Sequence, residues 1–287
     1  MYHGKQKWGI LFVFLFIILP ILVKEFAQPG LSLDLLTLIR SSPGPFTGKL
    51  SGGFETKIFS DTRPHVGRIA LLQKGLVLYF AGKSITGEGY GLGLPIVHKN
   101  GQAYLASKAK IGRFVRGDTT ILSKIYLYDR VETQTEVPRL KYRKTRPVTQ
   151  IRVDYYLYQN RIAVEADLRR AKKDGIDEIY FMNEVSGRLF QIAMTRDRKE
   201  IELLHWQYAP YGIIGLYAPG YEITVWIKSD ITWEKFVGRE VTSTWKWYGH
   251  VKQDWTGCEI YLGKIVSHFS YSIILQNASI PSSMIFP

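Results

Sequence analysis

The sequence contains a single cysteine, Cys258, among its 287 residues. One thiol excludes an internal disulfide framework and a cysteine-based metal centre, and it leaves the redox compartment undecided. Only 12 prolines and 26 glycines are spread through the chain, which excludes a low-complexity or collagen-like protein. We therefore interpret Cys258 as a small buried apolar residue and look for chemistry elsewhere.

Helical periodicity is also nearly absent after the first 45 residues, where only 167–173 has the pattern of a turn or two of helix. Short runs of β-branched and aromatic residues, separated by Gly, Asn or Asp, predict strands and hairpins instead. The clearest predicted hairpin spans 149–167 around Gln159–Asn160, and others are predicted at 68–80 and 189–206. The count is about fifteen strands, which is typical of a sandwich or barrel.

This pattern predicts an all-β fold, and we expect one large antiparallel β-sandwich over residues 46–287. The length and strand count resemble those of the large, super-sandwich-like two-sheet folds of sugar epimerases and polysaccharide lyases. No epimerase motif matches, so the resemblance bears on the fold and not on the reaction. Two stacked sandwiches with a break near 139–147 are the alternative.

A long apolar run near the start, Trp8–Val23, contains sixteen residues and no charge. Lys5 and Lys7 precede it, and this excess of positive charge predicts that the N-terminus stays inside while the body crosses the membrane. The run spans about 24 Å as a helix, less than the roughly 30 Å of a bilayer core, so a cleaved signal peptide is the alternative. The position two before Ala27 is Glu25 rather than a small residue, which favours an uncleaved anchor.

The chain therefore divides into three predicted parts. Residues 1–25 form a cytoplasmic stub and one transmembrane signal-anchor helix, 26–45 form a short helix and a Ser/Pro/Gly linker, and 46–287 form an extracytoplasmic domain. The expected localisation is the cell membrane, single-pass, with the body outside; the protein is secreted if the N-terminal segment is cleaved.

The charge balance is basic, with 38 Lys and Arg against 25 Asp and Glu, a net charge of +13. Such a charge suits an anionic polysaccharide, phospholipid head groups or nucleic acid, and equally a stable protein that carries many surface lysines. The densest cluster places Arg139, Lys141 and Arg143 at alternate positions, which predicts an anion-binding strip along one strand face; a solvated loop is the alternative. Nucleic acid is disfavoured because the body is expected outside the cytoplasm and no nucleic-acid-binding signature is present.

Glycine occupies every second position from Gly87 to Gly93. In a strand, this spacing leaves one face as bare backbone while the other face presents Glu88 and Tyr90, so a ligand or another backbone is expected to approach closely. A bent or bulged strand is the alternative. The spacing matches neither a dinucleotide fingerprint nor a P-loop, and we expect no cofactor.

Candidate catalytic residues are scattered along the chain. His98, His205 and His250 have no paired metal-ligand spacing, so no metal site is expected. Among the carboxylates, Glu88 lies in the glycine run and Glu184 ends an apolar strand directly after an asparagine. A glycosidase needs two carboxyl groups roughly 5 to 10 Å apart, which makes these two residues weak candidates.

The last third of the chain is rich in tryptophan, and Trp206, Trp245 and Trp247 are the candidates for ligand binding. Flat rings with a polar edge are suited to stacking on a sugar, and Trp245 and Trp247 would share one strand face. Packing within the core is the alternative.

No motif identifies a reaction, and the sequence leaves open whether the protein is an enzyme. The first hypothesis is a membrane-anchored protein that binds or processes carbohydrate or another polyanion at the cell surface. One alternative is a non-catalytic envelope protein that contacts protein partners. The other is a glycoside hydrolase or polysaccharide lyase.

Overall fold

The computed structural model describes residues 44–64, 71–87, 89–134, 141–194, 200–201, 207–209, 212–229, 243–246 and 256–277. Within these ranges, no helix is long and apolar enough to cross a membrane. The predicted span Trp8–Val23 lies outside them.

The described residues are almost entirely strand. One short helix, α1, spans Arg169–Lys173, and two 3-10 turns span Ser51–Gly53 and Pro219–Tyr221. The strands in the described ranges are β1 (Phe46–Lys49), β2 (Phe54–Ile58), β3 (Arg63–Pro64), β4 (Leu71–Leu72), β5 (Val77–Phe80), β6 (Lys83–Ser84), β7 (Leu92–Lys99), β8 (Gln102–Arg116), β9 (Thr119–Gln134), β10 (Lys141–Tyr158), β11 (Arg161–Asp167), β12 (Glu178–Val185), β13 (Ile192–Met194), β14 (Glu200–Ile201), β15 (Gln207–Ala209), β16 (Ile213–Ala218), β17 (Ile223–Ser229), β18 (Ser243–Lys246), β19 (Thr256–Leu262) and β20 (His268–Gln276).

Fourteen of these strands form one sheet in the order β14-β13-β16-β17-β20-β11-β10-β9-β8-β7-β12-β19-β18-β15. A four-stranded sheet, β1-β2-β5-β6, and the pair β3-β4 account for the others. The ladders that join these strands are antiparallel, for example those of β10 with β9 and β11. The all-β prediction with large antiparallel sheets is confirmed.

The large sheet curls so that distant strands meet across one core. Five strands separate β20 from β12 in the sheet order. Nevertheless, the Tyr271 hydroxyl of β20 donates a hydrogen bond to Asn183 of β12 at 2.8 Å, and the Phe181 and Phe269 rings lie 5.0 Å apart. The curl therefore encloses an apolar core, and polar groups carried into that core must find partners there.

The hairpin predicted at 149–167 is confirmed. Inward-facing Ile151, Val153 and Tyr155 are fully buried, and β10 pairs with β11 in register from Arg152–Asp167 to Tyr158–Arg161. This strand forms because every second side chain is apolar, so that burial of one face stabilises it. Helix α1 lies within the predicted turn of helix.

The hairpin predicted at 68–80 is wrong. Strand β5 pairs with β2 and β6, and β4 pairs with β3. Leu76 instead forms two backbone hydrogen bonds with Leu92, at 2.7 and 2.9 Å. Because the backbone of Leu76 is hydrogen-bonded to the start of β7, it does not pair with the residues that precede it, as the predicted hairpin required.

Candidate functional site

Asn183 and Glu184 are consecutive residues near the end of β12, and they lie on opposite faces of the sheet. Asn183 is 0% exposed and faces the core, while Glu184 is 2% exposed on the other face. The sequence identified Glu184 as a candidate. The structure shows that both residues organise hydrogen bonds.

The Asn183 amide joins three strands inside the core. Its Oδ1 accepts hydrogen bonds from the Tyr271 hydroxyl at 2.8 Å and from the Gly93 backbone N–H at 3.2 Å. Its Nδ2 donates to the Phe181 carbonyl at 3.1 Å. Burial removes the hydrogen bonds that these polar groups would make with water, which costs free energy. The internal hydrogen bonds of the network offset that cost.

Four buried tyrosines extend this polar core. The Tyr155 hydroxyl lies 3.3 Å from the Tyr126 hydroxyl and donates to the Leu92 carbonyl at 3.2 Å. The Tyr128 hydroxyl donates to a carbonyl of β7 at 2.6 Å. Burial raises the pKa of each phenol above 10.0, Tyr271 included. These hydroxyls therefore stay protonated and act as hydrogen-bond donors at neutral pH.

Lys124 is buried in the same inner face, between Leu122 and Tyr126 along β9. Its side-chain Nζ donates to the Lys74 carbonyl at 2.7 Å, and the Tyr126 hydroxyl donates to the same oxygen at 3.2 Å. A fully buried lysine is rare in proteins and needs a hydrogen-bond partner. Here the hydrogen bond of Lys124 holds the backbone near Lys74 against the large sheet.

The glycine run does not form the predicted regular strand; β7 begins only at Leu92. Gly87, Gly91 and Gly93 have φ values of 60°, 77° and 74°, which β-carbon sterics disfavour for other residues. A Cβ at Gly91 would lie 2.8 Å from the Leu76 carbonyl oxygen. The expected close approach of another backbone is confirmed at Gly91, in a bent segment rather than a flat strand.

This bent segment covers the Glu184 carboxylate. Oε2 of Glu184 accepts a hydrogen bond from the Tyr90 backbone N–H at 2.5 Å, and the Glu184 N–H donates to the Gly91 carbonyl at 2.9 Å. Tyr90 and Glu184, two of the predicted site residues, are therefore brought into direct contact. The carboxylate is therefore buried in this structure, with Glu184 only 2% exposed.

Tyr142 and Glu132 surround the Tyr90 phenol. Burial raises the pKa of Tyr90 well above 10.0, and Tyr142 and the Glu184 carboxylate raise it further. Burial also raises the pKa of Tyr142 to about 12 and raises the pKa of Glu132. Two phenols and two carboxyl groups therefore lie close enough to raise the pKa of the Tyr90 phenol together.

His98 lies in a separate row of aromatic rings on β7, β12 and β19. Its ring centroid lies 4.9 Å from that of Tyr180, which lies 4.9 Å from that of Tyr261. The Tyr180 and Tyr261 hydroxyls donate to the two carboxylate oxygens of Glu178, at 3.4 and 2.6 Å. Burial lowers the pKa of His98 from its usual 6.5, and Glu178 opposes this shift.

The lowered pKa of His98 predicts an acid-dependent loss of stability. Below pH 6.5 the unfolded chain binds a proton at this residue more readily than the folded protein, so stability falls as the pH falls from 6.5 toward the lowered pKa. His98→Phe keeps a ring in the row and removes the titration. We expect the melting temperature of the parent to fall more than that of His98→Phe between about pH 7 and pH 5. Parallel curves for the parent and His98→Phe would contradict the prediction.

Basic residues are grouped on β8, on β10 and on α1. Arg143 is exposed on β10, and Lys141 lies two positions earlier in the same strand. Both arginines of α1 form ion pairs, Arg169 with Asp167 at 2.6 Å and Arg170 with Asp174 at 2.8 Å. In α1, the remaining cations are two exposed lysines. The remaining exposed cations of the clusters in the described ranges are on β8 and β10: Lys108, Lys110, Arg113, Arg116, Lys144 and Arg146.

Several predicted site residues cannot be placed in this arrangement. Trp245 lies in β18, opposite Cys258 in β19. Six candidates lie outside the described residues: Glu88, Arg139, Trp206, His205, Trp247 and His250. Within the described ranges, no group of three His, Cys, Asp or Glu side chains is placed to hold a metal ion.

Sequence reasoning missed the polar core. One signal was available, because Lys124 shares its strand face with Leu122 and Tyr126, and a lysine within an apolar face indicates a buried polar contact. The partners of Asn183 had no such signal. Tyr271 is 88 residues away along the chain, and only the curl of the sheet brings the two together.

No family model matches the chain. No curated protein matches it either. Two solved structures of the alpha-N-acetylgalactosaminidase NagBb from Bifidobacterium bifidum have a similar fold. The complex with GalNAc has a TM-score of 0.53 at 8% identity, over 82% of this chain and 36% of that chain. The ligand-free form has a TM-score of 0.52 at 7% identity, over 83% and 37%.

At these identities the likeness concerns the fold alone. This chain spans little more than a third of the length of the glycosidase chains, 36% and 37%. A β-rich fold of this kind therefore also occurs as part of a carbohydrate-active enzyme, and fold does not determine function.

Proposed function

We propose that this protein binds an anionic polysaccharide at the cell surface through the amino-terminal half of β10. In this proposal the curled sheet serves as a two-layered sandwich, held to the membrane by the helix predicted at Trp8–Val23, with residues 46–287 outside the cytoplasm. The binding strip comprises Arg139, Lys141 and Arg143 together with the cations that follow them.

The observation that carries the proposal is an excess of exposed cations on one strand. Arg143, Lys144 and Arg146 are exposed on β10, and in the described part of the chain none of them forms an ion pair. The single acidic residue of β10, Asp154, binds Arg152 at 2.9 Å. Because these cations are not neutralised within their strand, they form a strip of positive potential that attracts polyanions.

The neighbouring strand β9 adds little negative charge at the surface. Asp129 is 3% exposed, and its carboxylate accepts hydrogen bonds from the Ser107 backbone N–H at 3.1 Å and hydroxyl at 2.9 Å. Glu132, the other acidic residue of β9, is half-buried opposite Tyr142 of β10. The burial of these two residues limits the negative charge that β9 exposes beside the strip.

Carbohydrate is the polyanion class that we propose first. The body is expected to lie outside the cytoplasm, where nucleic acid is scarce and anionic polysaccharides are common. The fold likeness to the N-acetylgalactosaminidase supports the choice of carbohydrate as the first ligand class to test. We do not propose hydrolysis, because Glu184 is 2% exposed and bound by the Tyr90 backbone.

A structural role for the same cations is the second candidate. Within the described residues, the first half of β10 pairs with β9 on one side, while its pairing with β11 begins only at Arg152. Lysines, a proline and a register shift protect open strand edges from aggregation, and this stretch contains all three, including Pro147 and a shift between Lys144 and Thr149. This observation favours the non-catalytic envelope protein.

Charge reversal separates the two candidates. In the full chain in neutral detergent, Arg143→Glu/Arg146→Glu should weaken binding to polygalacturonate at least about tenfold, because two attractive charges become repulsive. The matched control is Lys172→Glu/Lys173→Glu on α1, which changes the net charge equally at other exposed positions. The control should bind like the parent. Equal loss in both variants, or loss in neither, would contradict the proposal.

A further inference from the structure

Strand β8 extends far beyond its neighbour β7. It pairs with β9 from Tyr104 to Arg116, but it pairs with β7 only from Gln102 to Tyr104. Strand β7 then leaves to pair with β12. Among the residues that the structure describes, most of β8 therefore pairs with another strand on one side only.

Gln73 occupies the first part of this second side. Its backbone N–H donates to the Ala106 carbonyl at 3.2 Å, and its side-chain Nε2 donates to the Ser107 carbonyl at 3.4 Å. Strand β4, just before Gln73, lies near β8 but pairs with β3 and does not join the large sheet. In the described ranges, no strand pairs with Lys108–Arg116 on that side. Nine residues at 3.3 Å each give an edge of about 30 Å, long enough to pair with a complete strand.

The charges of this edge are all positive. Lys108, Lys110, Arg113 and Arg116 are exposed, and β8 contains no acidic residue. Two copies of this edge would place cations opposite cations, which opposes self-pairing. Val115 lies among these cations with 64% of its surface exposed, which provides an apolar contact.

We propose that the edge Lys108–Arg116 accepts an extended, acidic segment of a partner protein as an added strand. The backbone groups that point away from β9 would supply the hydrogen bonds, and the four cations would select an acidic sequence. The inference is independent of the polysaccharide strip, which lies on β10 on the other side of β9.

Hydrogen exchange and peptide binding test this inference on the full chain in neutral detergent. The probe is a blocked nonapeptide that alternates glutamate and valine. At saturation it should slow the exchange of the 108–116 amides that point away from β9 at least about fivefold. A peptide of equal charge, N-methylated at two adjacent residues near its centre, should bind at least about tenfold more weakly because both of its edges are interrupted.

Two variants locate the site, and three results would overturn the inference. Lys108→Glu/Lys110→Glu should weaken binding of the unmodified peptide, and Arg143→Glu/Arg146→Glu should not. Equal affinity for the N-methylated and the unmodified peptide would show that charge alone accounts for binding. Slow exchange of all the 108–116 amides in the free protein would show that the edge is already covered. Equal protection by polygalacturonate would assign the edge to polyanions instead.

Discussion

Replacing Gly91 by alanine is expected to lower the free energy of unfolding by about 2 to 5 kcal/mol. Two effects add in this expectation. The φ of 77° strains any residue with a Cβ, and the new Cβ would lie 2.8 Å from the Leu76 carbonyl oxygen. This oxygen is backbone within the tight pairing of Leu76 with Leu92, so it cannot turn away as a side chain would.

Three other glycines separate the two effects. Gly101 has a φ of 71° and open space around its Cβ position, so Gly101→Ala measures strain alone. Gly75 lacks a left-handed φ, but its Cβ would lie 2.2 Å from the Leu92 carbonyl oxygen, so Gly75→Ala measures the clash alone. Gly220 has neither feature and serves as the control. Chemical denaturation should give the smallest loss for Gly220→Ala and a larger loss for Gly91→Ala than for Gly101→Ala.

This series also decides what the glycine run is for. If the bare backbone faces Leu76 inside the fold, Gly91→Val should lose stability. A ligand floor predicts near-normal melting with lost binding to a polysaccharide instead. Equal stability of Gly91→Ala and Gly101→Ala would contradict the packing explanation.

Asn183→Leu is expected to lower the free energy of unfolding by about 2 to 5 kcal/mol. The substitution roughly preserves volume but removes the acceptor of two hydrogen bonds. The Tyr271 hydroxyl and the Gly93 N–H, which lie 2.8 and 3.2 Å from Oδ1, would then remain buried without their present partner. Equilibrium denaturation with urea measures the loss.

A double-mutant cycle assigns this loss to the network. Asn183→Leu leaves the Tyr271 hydroxyl without its acceptor, and Tyr271→Phe removes that hydroxyl. The double variant should therefore lose less stability than the sum of the two single losses. Tyr128→Phe provides the control, because that hydroxyl donates to the Pro95 carbonyl at 2.6 Å. Its loss should add to that of Asn183→Leu. Additivity in both cycles would contradict a role for Asn183 as the junction of the polar core.

The parts of the fold that sequence could predict are local. The hairpin at 149–167 follows from the alternation of Ile151, Val153 and Tyr155 with polar residues, because burial of one strand face is set by neighbouring positions. The helical turn at α1 follows from a short stretch that lacks this alternation. Glycine spacing indicated a close backbone approach, which the structure places at Gly91.

The parts that sequence could not predict depend on distant contacts. Leu76 pairs with Leu92 and not within the predicted hairpin at 68–80. Both segments have an apolar pattern that suits pairing with Leu76, and only the assembled sheet determines which of them pairs. The contact of Asn183 with Tyr271 requires the sheet to curl over five intervening strands. Glu132 and Tyr142 also lie far from Tyr90 along the chain, so the sequence did not predict that they act on its phenol.

The central claim is that a basic strand of a curled β-sheet binds an anionic polysaccharide. The most direct measurement is the affinity of the full chain for polygalacturonate and for neutral dextran of equal length, at low and high salt. The account predicts binding to polygalacturonate that weakens at least about tenfold between 0.05 and 0.5 M salt, because exposed charges are screened over shorter distances as salt rises. It predicts no measurable binding to dextran. Equal affinity for the two polymers, or no binding to polygalacturonate at low salt, would contradict it.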